Sequence, residues 1–178
     1  MGYKERIEEK RQEFQKELEG IPSENIIYLD ETGIYSNETL THGWAPKGSR
    51  LFGFKSGTHK KQFNVVAGLQ QGKLIAPLVV EGTLNADVFT IYVEAVLKPF
   101  LRPGSVVILD NASFHRASQI EDIVSGAGGR VLYLPTYSPD LNPIEHFWFS
   151  LKQKIRHAIR DGSGALDTIM NDIFGCVN

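Results

Sequence analysis

Cysteine is almost missing from this chain of 178 residues. Cys176 is the only one, so an intramolecular disulfide and a cysteine-based zinc site are both excluded for the monomer. No apolar segment approaches the roughly 18 residues that a bilayer span needs. The N-terminus is charged rather than signal-like, so a cytoplasmic protein with no membrane partner is expected. A plausible His or Cys nucleophile constellation is also lacking, which disfavours acyl transfer. Acidic residues are absent from Thr39 to Val80, a stretch that holds Lys47, Arg50, Lys55, Lys60, Lys61 and Lys73. A second basic group, Lys152, Lys154, Arg156 and Arg160, lies near the C-terminus, although the formal net charge is only -2. One face can thus be positive on a nearly neutral molecule; a solvated loop accounts for the same charges equally well.

What is present is the composition of an ordinary globular protein, 42% hydrophobic and 22% charged, at a length that suits one domain with a substantial core. Tyr3–Leu18 has no Gly or Pro and reads as a helix. Its stripe of Tyr3, Ile7, Phe14 and Leu18 is narrow, so this helix is a peripheral strut, a linker or a dimer contact. Gly20 and Pro22 close it, which sets residues 1–22 apart from a main domain at 23–178.

Two apolar runs that each end in Asp organise the rest. Ile26–Glu31 alternates so that Ile26, Tyr28 and Asp30 share one face, with Ile27, Leu29 and Glu31 on the other. Val106–Asp110 is a second buried strand, ending at Asp110-Asn111. Between them, Gly33–Thr58 is a long irregular stretch in which Trp44, Arg50, Phe52 and Phe54 interleave aromatic and basic character. Nucleic-acid surfaces combine stacking rings and phosphate-seeking charge in this way, and rings that anchor a loop on the core look alike in sequence. Gln62–Leu69 and Lys73–Val80 read as a hairpin turned at Gln70-Gln71-Gly72, with Pro77 confining the second strand to a sheet edge or a bulge. Asn85–Leu101 reads as one helix with an apolar face from Val88 to Phe100, and Arg116–Ser125 as another before the short strand Val131–Leu134.

A βαβ crossover makes Val106–Asp110 and Val131–Leu134 parallel neighbours, and ligands of such sheets sit beyond the carboxyl ends of the strands. If Ile26–Asp30 pairs in parallel beside Val106–Asp110, Asp30 and Asp110 lie at neighbouring strand ends, about 4.8 Å apart in strand spacing. Carboxylates that close require a shared proton or a cation. In the segment PTYSPDLNPIEHFWFSLKQK, Asn142 is a natural N-cap and Pro143 the first helical residue. Glu145 then reads either as the reciprocal glutamate of a capping box or as a third carboxylate at the same sheet edge. Three convergent carboxylates suit two Mg²⁺ ions about 3.5–4 Å apart, bridged by a phosphodiester.

The motifs YLDETG with Asp30, LDNASFH with Asp110 and LPTYSPDLNPIEHFW with Glu145 resemble the catalytic domain of IS630/Tc1/mariner-type DDE transposases. GWAPKGSR at Gly43–Arg50 is similar to the segment that follows the first Asp in bacterial IS630 members, and 34 residues between Asp110 and Glu145 match the spacing of that group. The resemblance implies an α/β, RNase H-like fold with a mixed five-stranded sheet of order 3-2-1-4-5, flanked by helices. It implies Asp30, Asp110 and Glu145 as ligands of Mg²⁺ or Mn²⁺, cleavage at transposon ends by water, and strand transfer of the freed 3′-hydroxyl into target DNA. DNA contacts are expected from Trp44, Lys47, Arg50, Lys60, Lys61, His115, Lys152 and Arg156, in a homodimer acting at the bacterial nucleoid. Asn111 is expected to fix the turn after its strand. Family members carry N-terminal helix-turn-helix domains and nothing before Tyr3 supplies one, so a catalytic half is expected. An RNase H-like nuclease without strand transfer and a non-catalytic DNA-binding remnant are the alternatives.

Overall fold

The computed structural model describes residues 7–35, 46–48, 62–111, 118–162 and 166–174, excepting the side chain of Asp167. Five strands form one sheet in the order β3-β2-β1-β4-β5. They are β1 (Ile26–Tyr35), β2 (Gln62–Gln70), β3 (Lys73–Glu81), β4 (Val106–Leu109) and β5 (Arg130–Tyr133). The β1–β2 and β2–β3 pairs are antiparallel, whereas β1–β4 and β4–β5 are parallel. This is the expected mixed sheet in the expected order, and it is RNase H-like.

The hairpin between β2 and β3 turns at Gln71 and Gly72, with φ of 49° and 74°. Positive φ at both central residues gives the turn whose twist matches the flanking strands. Pro77 meets both conditions read from the sequence: β3 is the sheet edge, and the register shifts between Val66 and Gly68 opposite it. β1 runs four residues beyond Glu31, because Thr32–Tyr35 pairs with Val65–Gln62 of β2. Gly33–Tyr35 reads as the start of an irregular stretch in the sequence, because Gly33 and the glycines that follow interrupt the strand pattern.

Helices cover both faces of the sheet. Ile27, Leu29, Val107 and Leu109 pack against Phe89 and Tyr92 of α2 (Ala86–Tyr92) and against Ile120 and Val124 of α3 (Ser118–Gly126). On the other face, Ile34, Phe63, Val65 and Ala67 pack against Trp148, Leu151 and Ile155 of α4 (Ile144–Arg160) and Ile169 and Met170 of α5 (Leu166–Phe174). The expected single helix over Asn85–Leu101 is instead three pieces: α2, a π turn at Val93–Leu97 and a 3-10 turn at Lys98–Phe100. Pro99 has no N–H to continue an α-helical ladder, and Lys98 N–H reaches back five residues to Val93. The face rotates accordingly and Phe100 ends up 45% exposed.

The first helix, α1 (Glu8–Glu19), is docked on the sheet. Phe14 packs with Val106, Ile108 and Leu134. Arg11, only 4% exposed, makes a two-pronged pair with Asp140 at 3.0 and 2.7 Å, and Arg130 bonds Glu17. No helix among the described residues is long and apolar enough to cross a membrane.

Candidate active site

Asp30 sits on β1 opposite Ala67 of β2, on the sheet face that meets α4. The parallel register Ile26↔Val106, Ile27↔Val107, Tyr28↔Ile108 has a constant offset of 80. Two further steps at that offset set Asp30 level with Asp110, just past the end of β4. Leu134 N–H donates to the Leu109 carbonyl at 2.8 Å, and the Asn111 side-chain amide donates to the Leu134 carbonyl, so the ends of β4 and β5 are tied together. The turn that Asn111 was expected to fix lies outside the described residues; the bond seen here runs across to the end of β5.

From Leu134 the chain crosses the sheet edge through Pro135–Ser138, takes one 3-10 turn at Pro139–Leu141, and enters α4 behind Pro143. A cavity of about 320 Å³ opens at this edge. Asp30, Asp110 and Glu145 all line it, together with Asn111, Tyr137 and Asn142. Tyr137 is half-exposed with φ of 57°, a left-handed conformation that bulky side chains avoid and that clusters at functional loops.

The capping-box reading of Glu145 is not what forms. Asn142 N–H donates to the Pro139 carbonyl at 2.9 Å rather than to Glu145, and no side chain caps α4. The Asn142 side chain, expected as an N-cap, is instead buried against Asp30, its Nδ2 3.4 Å from Oδ2. Trp148 joins it, donating Nε1–H to the same Asp30 oxygen at 3.1 Å. In the sequence Trp148 reads only as one of an apolar stripe with Ile144, Phe147, Leu151, Ile155 and Ile159. The signal that finds it is proximity: Asn142 and Trp148 flank Glu145 at three residues on either side.

Asp30 is 8% exposed, and its described partners are neutral N–H groups. Burial, then the neighbouring charges of Glu31 and Glu145, push its carboxyl up to about 7, against the opposing hydrogen bonds from Glu31 N–H and Trp148. A carboxylate this costly to ionise, beside others, is the electrostatic setting of a cation site. The donor set is all oxygen, as a hard divalent ion requires. Asn142 Oδ1, buried without a hydrogen-bond partner among the described residues, adds a further acceptor in the wall. Among the described residues no three His, Cys, Asp or Glu side chains are already gathered into an ion cage, so the carboxylates fit an ion by type and by sharing one cavity and must draw together around it.

Of the basic and aromatic residues expected at DNA, Lys47 is exposed in the 46–48 turn. Lys152 and Arg156 are half-buried on α4, seven and eleven residues beyond Glu145. At 1.5 Å per residue they stand about 10 and about 16 Å along the helix from it, on nearly the same face. Trp44, Arg50, Lys60, Lys61 and His115 lie outside the described residues.

A family model described as "DDE superfamily endonuclease" matches residues 25–164. The Insertion element IS630 uncharacterized 39 kDa protein of Shigella sonnei is 23% identical over 151 residues, covering 83% of this chain and 44% of that protein. The chain thus spans less than half the length of this curated relative. The crystal structure of the Mos1 mariner paired end complex with Mn superposes with a TM-score of 0.66 at 16% identity, over 96% of this chain and 54% of that one. The Mos1 Strand Transfer Complex gives 0.58 at 20% identity, over 80% and 44%.

Proposed function

Since this chain belongs to the DDE superfamily endonucleases, we propose that it is the part of an IS630/Tc1/mariner-type transposase that cuts transposon ends and joins them to target DNA. The observation that carries this reading is the convergence of Asp30, Asp110 and Glu145 on one cavity at the carboxyl edge of the parallel strands. In this reading the three carboxylates hold Mg²⁺ or Mn²⁺, two ions in all. When bound, the ions lower the charge barrier to attack on a phosphodiester and stabilise the departing oxygen.

Asp30, Asp110 and Glu145 supply the negative charge that holds the ions, and the buried, neutral-donor surroundings of Asp30 fix one edge of the site. Water oxygen adds to phosphorus, the bond from phosphorus to the 3′ oxygen breaks, and that oxygen leaves as a 3′-hydroxyl. In strand transfer the same hydroxyl attacks a target phosphodiester and displaces another 3′ oxygen. Lys152 and Arg156, running away from Glu145 along α4, take backbone phosphates. Lys47, Trp44, Arg50, Lys60, Lys61 and His115 make the remaining DNA contacts. The working particle is a homodimer on bacterial chromosomal DNA. Residues 1–22 serve as a linker, which contains the docked helix α1, and 23–178 as the catalytic domain.

Asp110→Asn keeps the shape of the strand end while removing a ligand charge. We expect it to lower Mg²⁺-dependent cleavage of a terminal-repeat duplex by at least about a hundredfold, with non-specific DNA binding retained. Cleavage at the native rate contradicts the assignment. Product analysis separates the alternatives: joined strands with a 3′-hydroxyl donor support transposition, whereas nicks without joining favour a nuclease.

A further inference from the structure

Two of the donors around Asp30 come from α4 and from Asn142, two residues before it, beside the Glu31 N–H of β1. Asn142 lies three residues before Glu145 and Trp148 three after, and both direct N–H groups at Asp30 Oδ2, at 3.4 and 3.1 Å. An oxygen of a carboxylate has two lone pairs, so two donors saturate Oδ2. The Trp148 ring is 2% exposed and is fixed by an edge contact from Phe147, with centroids 6.0 Å apart and planes at 83°. Its apolar rim packs in the core formed with Ile34, Phe63 and Leu151. A buried indole whose N–H ends on a buried carboxylate is tied at both ends.

We propose that Trp148, assisted by Asn142, is a positioning residue of the metal site: it holds Asp30 Oδ2 and so fixes how the Asp30 carboxylate would meet an ion, and it locks the register between β1 and the Glu145 turn of α4. One helix thereby carries the third carboxylate and orients the first. The inference rests on the metal-site reading above and adds to it a residue that touches neither ion nor DNA. Hydrogen-bonding partners of ligands typically set metal affinity by about 10- to 100-fold.

The test uses the full chain in EDTA-treated buffer, with Mg²⁺ alone as probe. The chain has two tryptophans, Trp44 and Trp148, so Trp44→Phe leaves Trp148 as the sole emitter. We expect its fluorescence to change saturably with Mg²⁺, at the midpoint found by calorimetry on the same chain. We expect Trp148→Phe to weaken Mg²⁺ binding about tenfold or more with the folded far-ultraviolet spectrum kept. The Asn142→Ser variant, with the indole intact, should show a smaller loss. Calorimetric binding without any change in Trp148 emission overturns the proposal, as does native affinity in Trp148→Phe; either result leaves the metal site standing. If the native chain binds no Mg²⁺ by calorimetry, the metal-site reading fails and this inference falls with it.

Discussion

At the scale of the residue, Asp30 concentrates the account. Its carboxyl is pushed up to about 7 from an ordinary 3.8, first by burial and then by Glu31 and Glu145. The sign of the linkage follows. Between about pH 4 and pH 7 the folded chain holds a proton that the unfolded chain has released, so metal-free stability falls as pH rises through that window. Below it the favourable contribution is fully present; above it the loss is complete. Asp30→Asn cannot ionise and still offers an oxygen to Trp148. We expect it to flatten the fall and, at pH 8 in EDTA, to stabilise the fold by roughly 1–3 kcal/mol, read from denaturant melts across pH. A variant whose melts track the native pH profile contradicts the assigned cause. Strand parity separated Asp30 from Glu31, and the Asp that ends the later strand, Asp110, singled out Asp30, so that choice was legible in the sequence. The roles of Asn142 and Trp148 were not. Local rules gave Asn142 to a cap and Trp148 to a stripe, since their common partner is more than a hundred residues away.

At the scale of the element, α1 and the turn before α4 form one joint. Arg11 is buried while Asp140 has a side chain 52% exposed, and the pair closes at 2.7 Å. This asymmetry makes a prediction. Asp140→Ala leaves a buried guanidinium with only the longer Glu8 contact at 3.7 Å, whereas Arg11→Met replaces it with an apolar chain and leaves Asp140 reachable by water. We expect Asp140→Ala to cost about 2 kcal/mol and Arg11→Met distinctly less, measured by urea unfolding; the reverse order contradicts the docking geometry. The charged helix was legible from propensity, and its narrow stripe correctly signalled modest burial through Phe14. That Arg11, an apparent interruption of the stripe, is the buried anchor was not legible, because its partner is supplied by a loop 129 residues away. The same limit explains α2. Its apolar periodicity runs past Tyr92, yet Pro99 breaks the ladder and diverts the chain through a π turn.

At the scale of the whole molecule, the order of the sheet makes the site. Placing β1 beside β4 in parallel sets two aspartates level, and returning from β5 over the same edge delivers α4 with Glu145. The hairpin with its edge proline and the βαβ pair were legible from the residues, whereas the order of the whole sheet was implied by the resemblance to the transposase family. The reach of the DNA surface was less legible, since basic residues on α4 and in the 46–48 turn become neighbours or strangers only through tertiary packing. The central claim is that the three carboxylates act together on one cation site. Anomalous diffraction from crystals of the full chain soaked in Mn²⁺ tests it most directly. Ion density bounded by Asp30, Asp110 and Glu145 is the expected result. Ions bound elsewhere, or a soaked site in which Glu145 stays apart from both aspartates, would contradict it.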